Sequence, residues 1–126
     1  MKKNIIKSMK VPAAIGPYSV GVEAGNFVFT AGQLGLDPTS GDLVAGGIEA
    51  QTRQALTNIR NILEAAGLSM DAVIKTTVFL RDMQEFNAMN SVYGEFFKVD
   101  PPARTTVQVA ALPKNAAIEI EVIAIQ

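Results

Sequence analysis

The 126-residue chain contains no cysteine and no histidine, and only 6% of it is aromatic. Without cysteine there is no disulfide framework, no thiol nucleophile and no thiolate metal site. Without histidine there is no Ser-His-Asp triad, no imidazole zinc ligand and no histidine general base. What remains for chemistry is Asp, Glu, Tyr, Lys, Arg, hydroxyl groups and the backbone. An excess of one charge is also missing. Eleven basic and twelve acidic residues leave a net charge of -1, far from the basic footprint of an electrostatic nucleic-acid binder. Charged residues interrupt every apolar run well short of the ~18 residues of a membrane span. The basic start, Met1 to Lys7, lacks the run of roughly 7 to 15 apolar residues of a secretory signal. The expectation is a cytoplasmic protein with neither membrane nor nucleic acid as partner. Gly46-Gly47 precedes the first predicted helix, but no Gly-rich phosphate-binding pattern occurs.

What is present suits one globular domain spanning residues 1–126. Hydrophobic residues make up 48% and charged residues 18% of the chain. A chain of this length buries roughly two-thirds of its unfolded surface, so its core needs neither disulfides nor metal. Lysines 2, 3, 7 and 10 read as a solvated leading segment, the alternative being an arm for nucleic acid or lipid.

Asn26 to Ala31 is aromatic and β-branched between glycines, as a strand is. Asp37-Pro38-Thr39-Ser40-Gly41-Asp42 is dense in turn formers, which predicts a hairpin returning through Leu43-Val44. From Ile48 the apolar residues recur at three and four, through Ala55, Leu56, Ile59, Ile62, Leu63 and Ala66. That spacing predicts an amphipathic helix of about 19 residues, stopped by Gly67 as a left-handed cap. Val73 to Leu80 is a second β-branched strand. Asp82, with Glu85 three residues on, opens a second helix whose buried stripe is Phe86, Met89, Tyr93, Phe96 and Phe97. Asp100-Pro101-Pro102 ends it. Strands from Arg104 to Val109 and from Ala116 to Ile125 close the chain. The order β-β-α-β-α-β-β predicts an α+β domain, two helices packed on one face of a mixed sheet.

In the last strand Ile118, Ile120, Val122 and Ala124 point one way and Glu119, Glu121, Ile123 and Ile125 the other. Two helices cover one face only, so apolar residues on both faces predict a homo-oligomer that buries sheet faces against one another.

Arg104 enters a strand behind Pro101-Pro102-Ala103 and shares a face with Thr106 and Gln108. Its guanidinium is a planar fork suited to a carboxylate. A small anionic ligand and a structural acid across the sheet both answer to that fork. Glu119 and Glu121 lie on one strand face, about 6.5 to 7 Å apart by the strand rise. Desolvation raises a carboxylate pKa and a nearby cation such as Arg104 lowers it, so one of them can be poised for proton transfer; paired surface acids are the plainer reading. Asn90, four residues after Phe86 and three before Tyr93, sits at the apolar face of the second helix, where an amide needs partners. Ile15-Gly16-Pro17-Tyr18-Ser19 is a rigid turn presenting a phenol, and Ala31-Gly32-Gln33 lets backbone come close to whatever lies beyond.

Taken together these segments resemble the RidA/YjgF reactive intermediate deaminase family nearly from end to end. The resemblance rests on Ala13 to Ser19, Thr30-Ala31-Gly32-Gln33, Glu64-Ala65-Ala66-Gly67-Leu68 and Lys75-Thr76-Thr77-Val78-Phe79. Most specific is the run from Pro102-Ala103-Arg104 through Leu112-Pro113-Lys114 to Ile118-Glu119-Ile120. It implies a chorismate-mutase-like fold and a homotrimer with a site in each cleft between subunits. The implied reaction is hydrolysis of 2-imino acids and their enamine tautomers, 2-aminoacrylate/2-iminopropanoate or 2-iminobutanoate, to 2-oxo acids and ammonia, with no cofactor and no metal. Carried over, Arg104 clamps the substrate carboxylate and Glu119 orients and deprotonates water. Tyr18 and Asn90 line the cleft, and the backbone around Ala31, Gly32 and Thr106 contacts the imine end or the anion. The chain departs from many members in having Thr106 where cysteine is frequent and Ala31 where serine often stands. Any thiol-based activity is thereby put in doubt, water-mediated hydrolysis is not.

Two other readings compete. A non-catalytic sensor would use the same Arg104 pocket to bind a 2-oxo acid or short carboxylate. The ribonuclease activity attributed to some relatives is disfavoured by the near-neutral charge and the missing histidine.

Overall fold

The alternation of the last strand sets the centre of the sheet. In the computed structural model, which describes residues 2–126, strand β7 (Ile118–Ile125) buries Ile118, Ile120, Val122 and Ala124 and leaves Glu121 and Ile125 exposed. Before it in the chain come β1 (Lys3–Ile6), β2 (Gly21–Ala24), β3 (Phe27–Thr30), β4 (Gln33–Leu34), helix α1 (Gly47–Ala65), β5 (Val73–Leu80), helix α2 (Phe86–Phe96) and β6 (Ala103–Gln108). The sheet runs in the order β1-β2-β3-β7-β5-β6, with β4 added alongside β7. Among the described residues only β5 and β6 pair in parallel, because α2 forms the crossover that parallel strands require. The expected mixed sheet with two helices is therefore present.

The 19-residue helix α1 turns Ile48, Ala55, Leu56, Ile59, Ile62 and Leu63 into the core, and Gly67 beyond it has the left-handed φ of 79°. Asp82 accepts a hydrogen bond from Gln84 N at 2.9 Å, capping a short 3-10 turn that leads into α2. From α2, Met89 and Tyr93, with Phe97 just beyond its end, complete the same core, while Phe86 and Phe96 pack at its margin. No helix among the described residues is long and apolar enough to cross a membrane.

The first third of the chain departs from expectation. The strand at 27–30 pairs not with Leu43-Val44 but with β2 before it, through a turn at Gly25-Asn26, and β1 adds a further antiparallel strand. The turn at 37–42 does close, with Asp37 N donating to Asp42 O at 2.8 Å, yet the return is a single bridge between Leu36 and Leu43. β1 and β2, Lys-Asn-Ile-Ile and Gly-Val-Glu-Ala, are four residues long and carry weak strand signals. Their strand state comes from ladder partners, a property of the tertiary fold.

Register assigns every site residue to a face. On β6, Arg104, Thr106 and Gln108 stand opposite Thr76, Val78 and Leu80 of β5, which are buried beneath the helices. Glu119 and Glu121 stand opposite Phe79 and Thr77, on the face that the helices leave open. Phe27, Phe29, Ile123 and Ile125 share that open face by register, and Phe27, Phe29 and Ile125 are each about 40% exposed.

Candidate active site

The predicted residues fall into two groups. In the first, Arg104 leans from β6 onto α2. Its Nη1 donates to Asn90 Oδ1 at 2.7 Å, and its guanidinium carbon lies 4.7 Å from the ring centre of Tyr93 and 5.4 Å from that of Phe86. Asn90 has the place its spacing predicts, on the helix face between the two rings. Tyr93 is fixed in turn by a 2.7 Å hydrogen bond between its hydroxyl and Thr76 Oγ1, and burial pushes its phenol pKa up, so it stays neutral. Stacked on aromatic faces and held by one amide, the guanidinium is oriented while most of its five N–H donors stay free.

Among the described residues the only side-chain ion pair is Arg53–Glu95, so no acid of the same chain pairs with Arg104. It faces an open cleft of about 500 Å³ walled by Phe97, Pro101 and Pro102. Thr106, on the same sheet face, has a hydroxyl enclosed without any hydrogen-bond partner. A sealed hydroxyl costs about 1–3 kcal/mol.

The second group surrounds Glu119. Tyr18, Ala31, Gly32, Pro113 and Glu119 line a cleft of about 300 Å³. Tyr18 is anchored by Ile15 N, which donates to its hydroxyl at 3.3 Å, and Ala31 N donates to Val20 O at 2.8 Å. Gly32 is required by contact: a Cβ there would lie 2.6 Å from Glu119 Oε2 and 2.7 Å from its Cδ. Glu119 is half-buried, and its carboxyl pKa is raised first by desolvation and then by repulsion from Glu121. Arg104 contributes nothing to that shift, contrary to the expected influence of a nearby cation, because it lies on the other side of the sheet. Within one chain the two groups do not meet.

Tyr93, Phe86 and Pro113 belong to these groups, but the sequence showed Tyr93 and Phe86 only as core residues and Pro113 only as part of the run that carries the resemblance. A tyrosine inside an apolar helix stripe is a usable signal, since its hydroxyl must find a partner. Pro113 opens a turn in which Lys114 and Asn115 both adopt left-handed backbone, φ 56° and 54°. Lys114 Nζ donates to Gly41 O at 3.0 Å and Arg81 Nη1 to Asn115 O at 2.8 Å, holding the turn against the cleft. Strained backbone of this kind clusters at functional sites.

Comparison with known proteins agrees over almost the whole chain. Residues 8–126 match the family model described as Endoribonuclease L-PSP. A RutC family protein of Pyrococcus horikoshii is 53% identical over 122 residues, covering 97% of each chain. The human 2-iminobutanoate/2-iminopropanoate deaminase is 48% identical over 124 residues, 98% of this chain and 90% of that one. Among solved structures, E. coli TdcF with bound serine has a TM-score of 0.94 at 44% identity and covers 98% of both chains. The chain belongs to the family of that model, the RidA/YjgF family of reactive intermediate deaminases.

Proposed function

We propose that the chain hydrolyses 2-imino acids and their enamine tautomers, 2-aminoacrylate/2-iminopropanoate and 2-iminobutanoate, to the 2-oxo acid and ammonia. Arg104 carries the reading: an oriented, partly buried guanidinium with no acid beside it is a receptor for a small carboxylate. Relatives named for this activity at 48–51% identity and a related structure with serine bound support the same ligand class. A net charge of -1 and the absence of histidine favour it over cleavage of RNA.

Arg104 and Glu119 act on one molecule only if they come from different copies of the chain. A substrate of three or four carbons cannot span the sheet that separates them. We therefore assign the site to the clefts of a homotrimer, built by burying the open sheet faces that carry Phe27, Phe29, Ile123 and Ile125. In such a cleft Tyr18, Ala31 and Gly32 surround the imine end, while Asn90 and Thr106 flank the carboxylate.

The chemistry needs few groups. Protonation of an enamine at C3 yields the iminium, whose C2 is already electrophilic. Water oxygen bonds to C2, its proton passes to Glu119, and the C=N π pair moves to nitrogen. Glu119 then returns the proton to the amine of the carbinolamine. The C–N bond breaks, ammonia departs and the hydroxyl loses its proton to become the 2-oxo group. Positioning and the handling of one or two protons supply the catalysis, with no cofactor or metal in any step. Desolvation and the neighbouring Glu121 raise the pKa of Glu119, which makes its carboxylate a stronger proton acceptor than an exposed one. Such imines are released by pyridoxal-phosphate dehydratases acting on serine or threonine, which makes the cytoplasm the proposed place of action.

The test generates 2-aminoacrylate or 2-aminocrotonate in place with a dehydratase and follows imine decay at near-neutral pH. Acceleration by this protein that is lost in Arg104→Ala is the expected result. No acceleration, with 2-oxo acids still bound, would transfer the reading to a carboxylate sensor.

A further inference from the structure

The covered face of β5 is an apolar row broken by one hydroxyl. Thr76 points with Val78 and Leu80 beneath the helices, and all three are fully buried. Valine has the same β-branched shape and would fill the position without desolvating a hydroxyl. Elsewhere in the core, the hydrogen bonds of buried polar side chains serve the backbone. Thr30 accepts from Val122 N and Gln51 from Ala117 N, while Thr52 donates to Ile48 O and Asn58 to Leu34 O and Leu36 O. Thr76 serves no backbone group. Its side-chain hydrogen bond is the 2.7 Å contact with the Tyr93 hydroxyl.

Stability does not require this pair. Replacing both partners of a buried hydrogen bond by apolar groups of the same shape is nearly neutral, and valine with phenylalanine is that replacement. What the pair does fix is the place of the Tyr93 ring. Thr76 and Arg104 stand side by side on paired strands, and α2 lays Tyr93 against both. The hydroxyl is tied to Thr76, the ring centre lies 4.7 Å from the guanidinium carbon, and the Phe97 ring packs 4.7 Å away, tilted by 43°.

We propose that Thr76 is a positioning residue of the carboxylate site: through the Tyr93 hydroxyl it fixes the aromatic surface on which the Arg104 guanidinium rests, and so aims the free fork at the ligand. The inference rests on the reading of Arg104 as a carboxylate receptor and deepens it. A bidentate contact needs both N–H vectors in the plane of the carboxylate, so a guanidinium whose supporting ring rocks loses alignment while keeping its charge. Burial keeps the phenol neutral, so Tyr93 presents Arg104 with a ring face and not with a competing anion.

The test separates hydroxyl from shape, with pyruvate binding by calorimetry, KM in the dehydratase-coupled assay and thermal unfolding as readouts. Thr76→Val combined with Tyr93→Phe keeps the shape and removes the bond. Its melting temperature should stay within ~2 °C of the wild type. Its dissociation constant for pyruvate and its KM should rise about three- to tenfold, the worth of one hydrogen bond, with the loss in KM rather than in kcat. Thr76→Ser keeps the hydroxyl and removes a methyl group, so it should melt lower yet bind pyruvate within about twofold of the wild type. Affinity then follows the hydroxyl and stability the shape, whereas a merely structural Thr76 makes affinity follow the melting temperature. Wild-type affinity in the double variant, or equal weakening by Thr76→Ser and Thr76→Val, overturns the proposal. Where the double variant fails to fold, the comparison of Thr76→Ser with Thr76→Val decides alone. Pyruvate binding without imine turnover would overturn the hydrolase reading and leave the same comparison of affinities to decide for Thr76. A wild-type protein that neither binds pyruvate nor accelerates imine decay would overturn the carboxylate site and this proposal with it.

Discussion

Gly32→Ala isolates the position of the Glu119 carboxylate from everything else in the fold. The new Cβ would sit 2.6 Å from Oε2, whereas ordinary contact begins near 3.4 Å, so the carboxylate must retreat by about 0.8 Å. All three of the nearest atoms belong to the Glu119 side chain, and the φ of Gly32 lies outside the left-handed region. The backbone therefore accepts alanine, the strain falls on one flexible carboxylate, and stability should change by less than about 1 kcal/mol. Activity should not be spared. A misplacement near 1 Å costs up to ~100-fold, so kcat is expected to fall on the order of 10- to 100-fold, about 1.4 to 2.7 kcal/mol of barrier. Dehydratase-coupled imine decay measures the rate and thermal unfolding the stability. Because the effect runs through Glu119, Gly32→Ala should add almost nothing in a Glu119→Gln background. Wild-type kcat in the single variant, or full additivity in the double one, would refute the role of Glu119 at this position.

Arg104→Lys should lose at least ~100-fold in kcat/KM while the sedimenting mass stays unchanged, because an ammonium reproduces neither the planar fork nor the stacking on Tyr93 and Phe86; near-normal activity would refute the carboxylate clamp. Glu119→Gln should lower kcat by ~10²–10⁴-fold yet raise the melting temperature at neutral pH. The carboxyl pKa is raised above its ordinary 4.5 in the folded state. The fold therefore binds the proton more tightly than the unfolded chain does, and it is destabilised once the carboxylate ionises. The advantage of glutamine is full above the folded pKa and disappears as pH falls below 4.5; a melting difference independent of pH would contradict this. Ile123→Glu places a charge on the open sheet face and should lower the sedimenting mass and abolish activity together, whereas an active variant of unchanged mass would exclude that face from the interface.

The amino-acid sequence determined by itself whatever depends on local periodicity. The three-and-four spacing from Ile48, the turn formers at 37–42 and the strict alternation of Ile118 to Ile125 give α1, the reversal and the central strand without reference to distant residues. It also determined the inventory of chemistry, since a chain with no cysteine or histidine leaves carboxylates, phenols, lysine, arginine, hydroxyls and the backbone as the groups able to bind and move charge. Local pattern could not find β1 and β2, whose strand state depends on pairing partners. Nor could it place Arg104 and Glu119 relative to each other. Both belong to adjoining runs of the most specific motif, and only the register of β6 on β5 and of β5 on β7 puts them on opposite faces of the sheet. Side-chain direction alternates along every strand, so which residues of two strands share a face is decided by register, and register is set by the tertiary packing of the helices on one side alone.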